Sequence, residues 1–293
     1  MKLLSCAALL TAMVMPSFGL DPALAKYVSG EAKQLSGTRV DRALASPLGL
    51  FILTQASVEL KQLDEFTAKT GFDFRRDIQD VVMAANNGRG DLAAARGTFK
   101  GELIGSFVLA AGGEKATYAG VDIYHADKRH GPWFAFPEAG IGLLGELDSI
   151  KAALDRRTQV TNIDPKLLVK AEASSSKYDV WFAGSAPTQI GLGKGLVKPD
   201  GIELVSGGLN LGSTIELNAE AVMKTEKDAI GLQQTIQFVL TMLQAQGQKT
   251  MFLPLISNTQ TKVEGATVTF SGSVLEADVE KLFSQPRRIA AIR

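Results

Sequence analysis

The sequence predicts an α+β fold: antiparallel sheet in two related halves, with helices packed mainly on one face of each. Three observations lead there. Alternating apolar and polar runs are separated by glycine-rich turn clusters, the pattern of hairpins. Stretches with apolar residues at helical spacing interrupt these runs. The order hairpin, helix, strands, short terminal helix occurs twice along the chain, as duplication of one unit would leave it.

The elements follow in order. Met1 and Lys2 precede an uncharged run, Leu3 to Met15, then Pro16 and the small residues of Ser17-Phe18-Gly19. This is the plan of a cleavable secretory signal over residues 1–19. The run is shorter than the ~20 apolar residues a membrane-spanning helix needs. Leu3-Leu4-Ser5-Cys6 has the residue types of a lipoprotein box, but the apolar run follows the cysteine and does not precede it, so no lipid is expected. Cys6 is the only cysteine. Cleavage after Gly19 leaves a chain without disulfides, thiolate metal ligands or a cysteine nucleophile. The expected location is exported, periplasmic or secreted.

Residues 20–157 read as the first α+β half. Asp21 and Pro22 open a helix, as N-cap and first helical residue, running to about Gln34 and closed by Ser36-Gly37. Pro47 to Thr54 is apolar but does not distinguish strand from helix. Val58 to Thr70 places Leu60, Leu63 and Phe66 on one helical face, and Gly71 suits a left-handed cap. Asp73 caps a turn over Phe74 to Ile78. Asp80 to Ala85 and Leu92 to Phe99 form a hairpin around Asn86 to Gly90. A helix over Lys100 to Ala110 precedes strands near 119–125, 133–136 and 140–145. Asp148 caps a helix to Arg157.

The polar, proline-containing stretch 158–176 reads as a linker, and 177–293 as the second half. Its strands are Tyr178 to Gly184, Gly201 to Ser206 and Ser213 to Ala219, the last two flanking Gly207-Gly208 and Gly212. Thr225 opens a long helix to about Gln246, in which Leu232, Ile236, Val239, Leu240 and Leu243 form an apolar stripe facing the sheet. A strand over Val263 to Ser271 and a helix over Leu275 to Phe283 close the chain.

The segment Phe66 to Val82, with Thr70-Gly71, then Asp73-Phe74-Arg75-Arg76-Asp77 and the Val81-Val82 strand, resembles a recurring block in uncharacterised exported bacterial proteins. Tyr118-Ala119-Gly120 and the Asp148 helix fit the same pattern. The resemblance implies an α+β fold of two related halves and supplies no catalytic residues.

The whole chain carries 31 basic and 31 acidic residues, and loss of Lys2 with the signal leaves 30 against 31, a net charge of −1. That balance argues against a nucleic-acid partner, whose binding needs excess Lys and Arg. An apolar fraction of 45% is ample for a core in a body of roughly 270 residues. His125, Asp127 and His130 could supply metal ligands from one hairpin, but Lys128 and Arg129 in the same turn would repel a dication. Exposed hairpin histidines and no metal are expected. No Gly-x-Ser-x-Gly elbow occurs. Gly191-Leu192-Gly193-Lys194-Gly195 lacks the Ser or Thr of a phosphate loop and reads as a turn. Asp73, Asp77 and Asp80 form a carboxylate cluster that Arg75 and Arg76 should keep ionised. Arg89-Gly90-Asp91 sits where a hairpin tip would display it, as turn chemistry. With no catalytic, cofactor or metal residue singled out, the reading is a non-enzymatic binding or envelope-associated protein with an apolar groove for an apolar ligand or an envelope partner. The alternative is an envelope hydrolase using carboxylates.

Overall fold

A computed structural model describes residues 20–55, 57–86, 89–126, 131–159, 162–186, 190–192, 195–197, 201–245 and 258–284. The signal segment, Cys6, Asp127 and His130 lie outside them.

The first half begins with α1 (Pro22–Ala25), capped as expected by the Asp21 carboxylate, which accepts from Ala23 N at 2.9 Å. This helix is one turn long and does not reach Gln34, because the chain then enters β1 (Gln34–Arg39). Ser36-Gly37 is therefore mid-strand and not a helix stop. A side chain at Gly37 would place its Cβ 2.6 Å from the Trp181 ring, so glycine is there to let the indole lie against the strand. Next come α2 (Val40–Ala45), α3 (Pro47–Gln55), which settles the ambiguous apolar run as helix, and α4 (Ser57–Thr70). Gly71, at φ +69°, ends α4 as expected. Asp73 caps α5 (Phe74–Asp77) by accepting from Arg75 N.

The expected hairpin is β2 (Ile78–Asn86) and β3 (Arg89–Gly97), followed by α6 (Gly101–Ala110). Four strands follow where three were expected: β4 (Glu114–Tyr118), β5 (Val121–His125), β6 (Trp133–Glu138) and β7 (Ile141–Gly145). β4 is the addition; its polar alternation lacks an apolar run to announce it. Helix α7 (Leu147–Arg156) starts at Glu146 with no side-chain cap, so Asp148 sits in the first turn and does not cap.

The expected linker is a correction. Most of residues 158–176 fold as α8 (Pro165–Lys177), with Asp164 accepting from Lys166 N and Leu167 N, and with Leu167 and Ala171 buried. Ser174 and Ser175 are buried with them on the side that packs against the sheet. The second half continues with β8 (Val180–Gly184), a two-stranded hairpin of β9 (Ile190–Leu192) and β10 (Gly195–Val197), β11 (Ile202–Leu211) and β12 (Thr214–Met223). Gly207 and Gly208 lie within β11, and the turn falls at Gly212-Ser213. Then come α9 (Glu226–Ala245), β13 (Gln260–Glu264), β14 (Thr267–Leu275) and α10 (Glu276–Ser284). The run Val263 to Ser271 is thus a hairpin around Gly265-Ala266 and not one strand.

Among the described residues, all strands except the β9–β10 pair join one antiparallel sheet of 12 strands, in the order β13-β14-β12-β11-β8-β1-β2-β3-β7-β6-β5-β4. β1 pairs directly with β8, so one sheet runs unbroken across both halves. Asp179 reinforces this seam, accepting from Arg39 Nη2 at 3.1 Å and from Leu211 N at 3.0 Å.

Helices lie on both faces of the sheet. The front of the sheet bears α1, α7 and α8. Leu35, Val82, Leu143 and Trp181 meet Leu24, Ile150, Leu154 and Leu167 there in the main core. The back bears α6 and α9. Both faces need cover because most strands carry apolar or small residues on both sides.

Candidate functional site

Helix α9 builds the site. Thr225 Oγ1 accepts from Asp228 N at 3.1 Å and donates to Asp228 Oδ2 at 2.8 Å, a reciprocal cap that fixes the helix start. At this end α9 packs closely: Ala229 is fully buried with Met223 and Val268. Along one flank, Gln233 Nε2 donates to Thr261 O at 3.2 Å and Gln237 Nε2 to Thr261 Oγ1 at 3.4 Å, tying the helix to β13. Gln233, on the polar side of the stripe, is therefore a tether.

Beyond this anchored end the apolar stripe does not close on the sheet. Ile236, Val239, Leu240 and Leu243 are only half-buried and roof a cavity of about 460 Å³ over Phe182, Val205, Ala219, Ala221 and Phe270. That volume lies within the usual range for small-molecule sites. Directly opposed residues of an antiparallel pair share a face. Phe270, Ala219, Gly207 and Phe182 are such partners in succession, so they form one row of the cavity floor. The small residues in this row leave the space.

The same row continued to the other end of the sheet passes under α6 and is filled. Tyr124 and Phe134 stack with centroids 5.7 Å apart, Phe134 meets Phe136 at 5.8 Å, and Phe136 meets Phe99 at 5.3 Å. Aromatic rings occupy under α6 the volume that alanine and glycine leave open under α9. Sequence reading found the helix stripe but missed Phe182, Ala219, Ala221 and Phe270. Strand alternation would have placed these on one face, but not against α9.

On the front face, a second cavity of about 770 Å³ lies between α8 and β11, lined by Lys33, Lys166, Lys170 and Glu203 among others. Two of its lysines are paired: Lys170 bonds Glu220, and Lys166 lies 4.0 Å from Glu203. Glu220, whose burial alone would raise it, is held low by Lys170 and by the Ser206 hydroxyl, which donates at 2.6 Å.

The carboxylate cluster divides. Arg75 grips Asp73 through Nε and Nη2, both at 2.8 Å, and holds its carboxyl below the ordinary range. Arg76 does the same for Asp77, with two contacts of 2.7 Å. Asp80 departs from the expectation: burial pushes its carboxyl up, with Asp41 and Asp21 adding to the effect and Arg39 and Arg96 opposing it. The register places Arg39 and Arg96 on either side of it. Asp21 is itself held low, because its bonds to Arg96 and Ala23 N outweigh burial. Asp80 lines neither cavity. Glu276 is also raised, chiefly by its hydrogen bond with Glu280 one turn along α10.

His125 is buried and not exposed as expected; Nε2 lies 3.1 Å from Gly131 O, and the ring stacks on Trp133 at 4.6 Å. Among the described residues no cluster of three potential ligands occurs. The backbone of Arg89-Gly90-Asp91 opens β3 beside the turn, with Arg89 paired to Asn86, Gly90 to Ala85, and Asp91 at a register irregularity. Gly191 and Gly195 belong to the β9–β10 hairpin, and Gly193 and Lys194 lie outside the described residues. Among the described residues no helix is long and apolar enough to cross a membrane.

No family model and no curated protein matches this chain. In fold it is similar to solved structures of TP0453. Crystal form III matches with a TM-score of 0.57 at 12% identity, covering 91% of this chain and 99% of that one. Crystal form IV gives 0.54 at 12% identity over 89% and 96%, and crystal form I gives 0.53 at 12% identity over 90% and 96%. The likeness establishes the fold over the share of each chain that is covered.

Proposed function

We propose that this chain is an exported, non-enzymatic binding protein that holds an apolar ligand between α9 and the back of the sheet. The observation that carries the reading is the cavity itself. It is roofed by a stripe of half-buried aliphatic side chains and floored by small ones, where the opposite end of the sheet is packed with aromatic rings. Leaving such apolar surface unfilled costs roughly 25 cal/mol per Å² of contact forgone, and an apolar ligand recovers that contact. The export signal supports a periplasmic or secreted location, and the Asp73 to Asp77 block supports kinship with the exported proteins it resembles. Leu20, next to the proposed cleavage site, is buried in the core, so the folded body starts at once.

The same reading includes descent from a duplicated unit. Outward from β1 the strands run β2, β3, β7, β6, and outward from β8 they run β11, β12, β14, β13. Helix α6 follows β3 as α9 follows β12. On this account one half kept a filled core under its helix, and the other opened it as a site.

Native mass spectrometry of the protein purified from its own host tests the proposal: an apolar molecule should be retained. Ala219→Phe, which fills the floor, should abolish retention without lowering the melting temperature. Hydrolysis of an ester, glycoside or peptide substrate, abolished by Asp80→Asn, would replace this reading with an enzymatic one.

A further inference from the structure

The cavity under α9 ends at Phe182, but the row of the sheet on which it lies does not. Phe182 on β8 is opposed by Ser36 on β1, Ser36 by Met83 on β2, Met83 by Ala93 on β3, and Ala93 by Leu144 on β7. These residues therefore share the back face with the cavity floor, in one straight line across the strands. Met83 is 47% exposed and Leu144 45% exposed, large apolar side chains left open on the sheet between α9 and α6. From Phe270 to Leu144 the row contains no Asp, Glu, Lys or Arg. The flanking rows through Thr38 and through Gln34 are likewise uncharged from β14 to β2.

From this we infer that the ligand is a long, linear hydrocarbon chain that enters under α9 and continues across the open middle of the sheet over Met83 to Leu144. The inference rests on the proposed apolar binding and adds its chemical class and its extent. An uncharged floor offers no counter-charge to a charged headgroup, so the headgroup stays in solvent and the chain is what is recognised. The width is one row of side chains, and Ser36 and Ala93 form low points between Phe182, Met83 and Leu144. This shape suits a thread of methylenes better than a rigid ring system.

The lengths can be worked out. Strands lie about 4.8 Å apart, so the three steps from β14 to β8 under α9 span about 14 Å. The four steps from β8 to β7 add about 19 Å. An extended chain with bonds of about 1.5 Å and angles of about 111° advances about 1.25 Å per carbon. The covered part thus takes roughly 11 carbons, and longer chains must use the open track. Full burial of a methylene gives about fourfold in affinity, and contact on one side about half the free energy, or about twofold.

The test measures displacement of an apolar fluorescent probe from the intact mature protein by lysophosphatidylcholines of decyl to octadecyl chain length and of hexacosyl chain length, below their micelle-forming concentrations. Affinity should rise up to dodecyl and continue to rise to octadecyl, by on the order of tenfold or more. Met83→Glu should weaken octadecyl and hexacosyl binding, and Leu144→Lys hexacosyl binding alone. The reason is reach: 18 carbons advance about 23 Å and 26 about 33 Å, against about 24 Å from β14 to Met83 and about 33 Å to Leu144. Met83→Leu should retain both. Both positions are exposed, and matching melting temperatures confirm folding. If chains bind but affinity stops rising at dodecyl, or neither charged variant changes the slope, the extended track is refuted while the α9 site stands. If no chain displaces the probe, the apolar binding reading itself falls.

Discussion

Two substitutions that remove the same three carbons separate an open groove from a packed core. Leu35, on the central strand β1, is 1% exposed in the main core, whereas Ile236 is half-buried over the α9 cavity. Truncation to alanine removes three methyl or methylene groups in each case, worth about 0.8 kcal/mol apiece when fully buried. At Leu35 the full transfer loss of about 2.4 kcal/mol applies. The void left behind adds about 24 cal/mol per Å³, so about 3–5 kcal/mol is expected. At Ile236 the side chain has packing partners on one side only, and its removal widens an existing groove without enclosing a new void. About half the transfer loss applies, close to 1 kcal/mol. Urea denaturation of ligand-free protein, read as midpoint shifts at a common slope, measures both. Ile236→Ala costing as much as Leu35→Ala would mean that α9 closes on the sheet in solution. The site would then not exist in the form described.

Asp80→Asn should raise the melting temperature at neutral pH, with the gain vanishing at acid pH. The folded carboxyl is raised, so its favourable contribution is complete below the ordinary value of 3.8 and is lost as pH rises through the folded value. A variant less stable than the parent at pH 7 would show that its arginine neighbours outweigh burial. Asp77→Asn should behave oppositely: the folded carboxyl is lowered, so its contribution is present above 3.8 and fades as pH falls through the folded value. The variant should be destabilised at pH 7 and should converge with the parent in acid. Gly37→Ala puts a methyl carbon 2.6 Å from the Trp181 ring and should cost about 1–3 kcal/mol by overpacking, with a shifted tryptophan emission; an unchanged spectrum and stability would contradict the close approach. The exported protein should have an intact mass beginning at Leu20, and retention of Cys6 with a diacylglycerol would overturn both the cleavage site and the unlipidated reading.

What can be read along the chain here is whatever depends on neighbours in sequence. The Asp21, Asp73 and Thr225 caps, the Gly71 stop, the α4 and α9 helices and the β2–β3 hairpin are all of this kind, because capping and periodicity act within a few residues. The stripe of α9 was visible for the same reason. What the chain could not reveal depends on residues far apart. Gly37 looked like a helix stop because its reason for being glycine is Trp181, nearly half the chain away. Residues 158–176 looked like a linker because the apolar face of α8 is satisfied by strands on both sides of it in sequence. The groove is the clearest case. A stripe such as Leu232 to Leu243 is the same in sequence whether it meets aromatic rings or alanines. Only the register that brings Ala219, Gly207 and Phe182 beneath it, and carries the same row on to Met83 and Leu144, decides between a filled core and an open site.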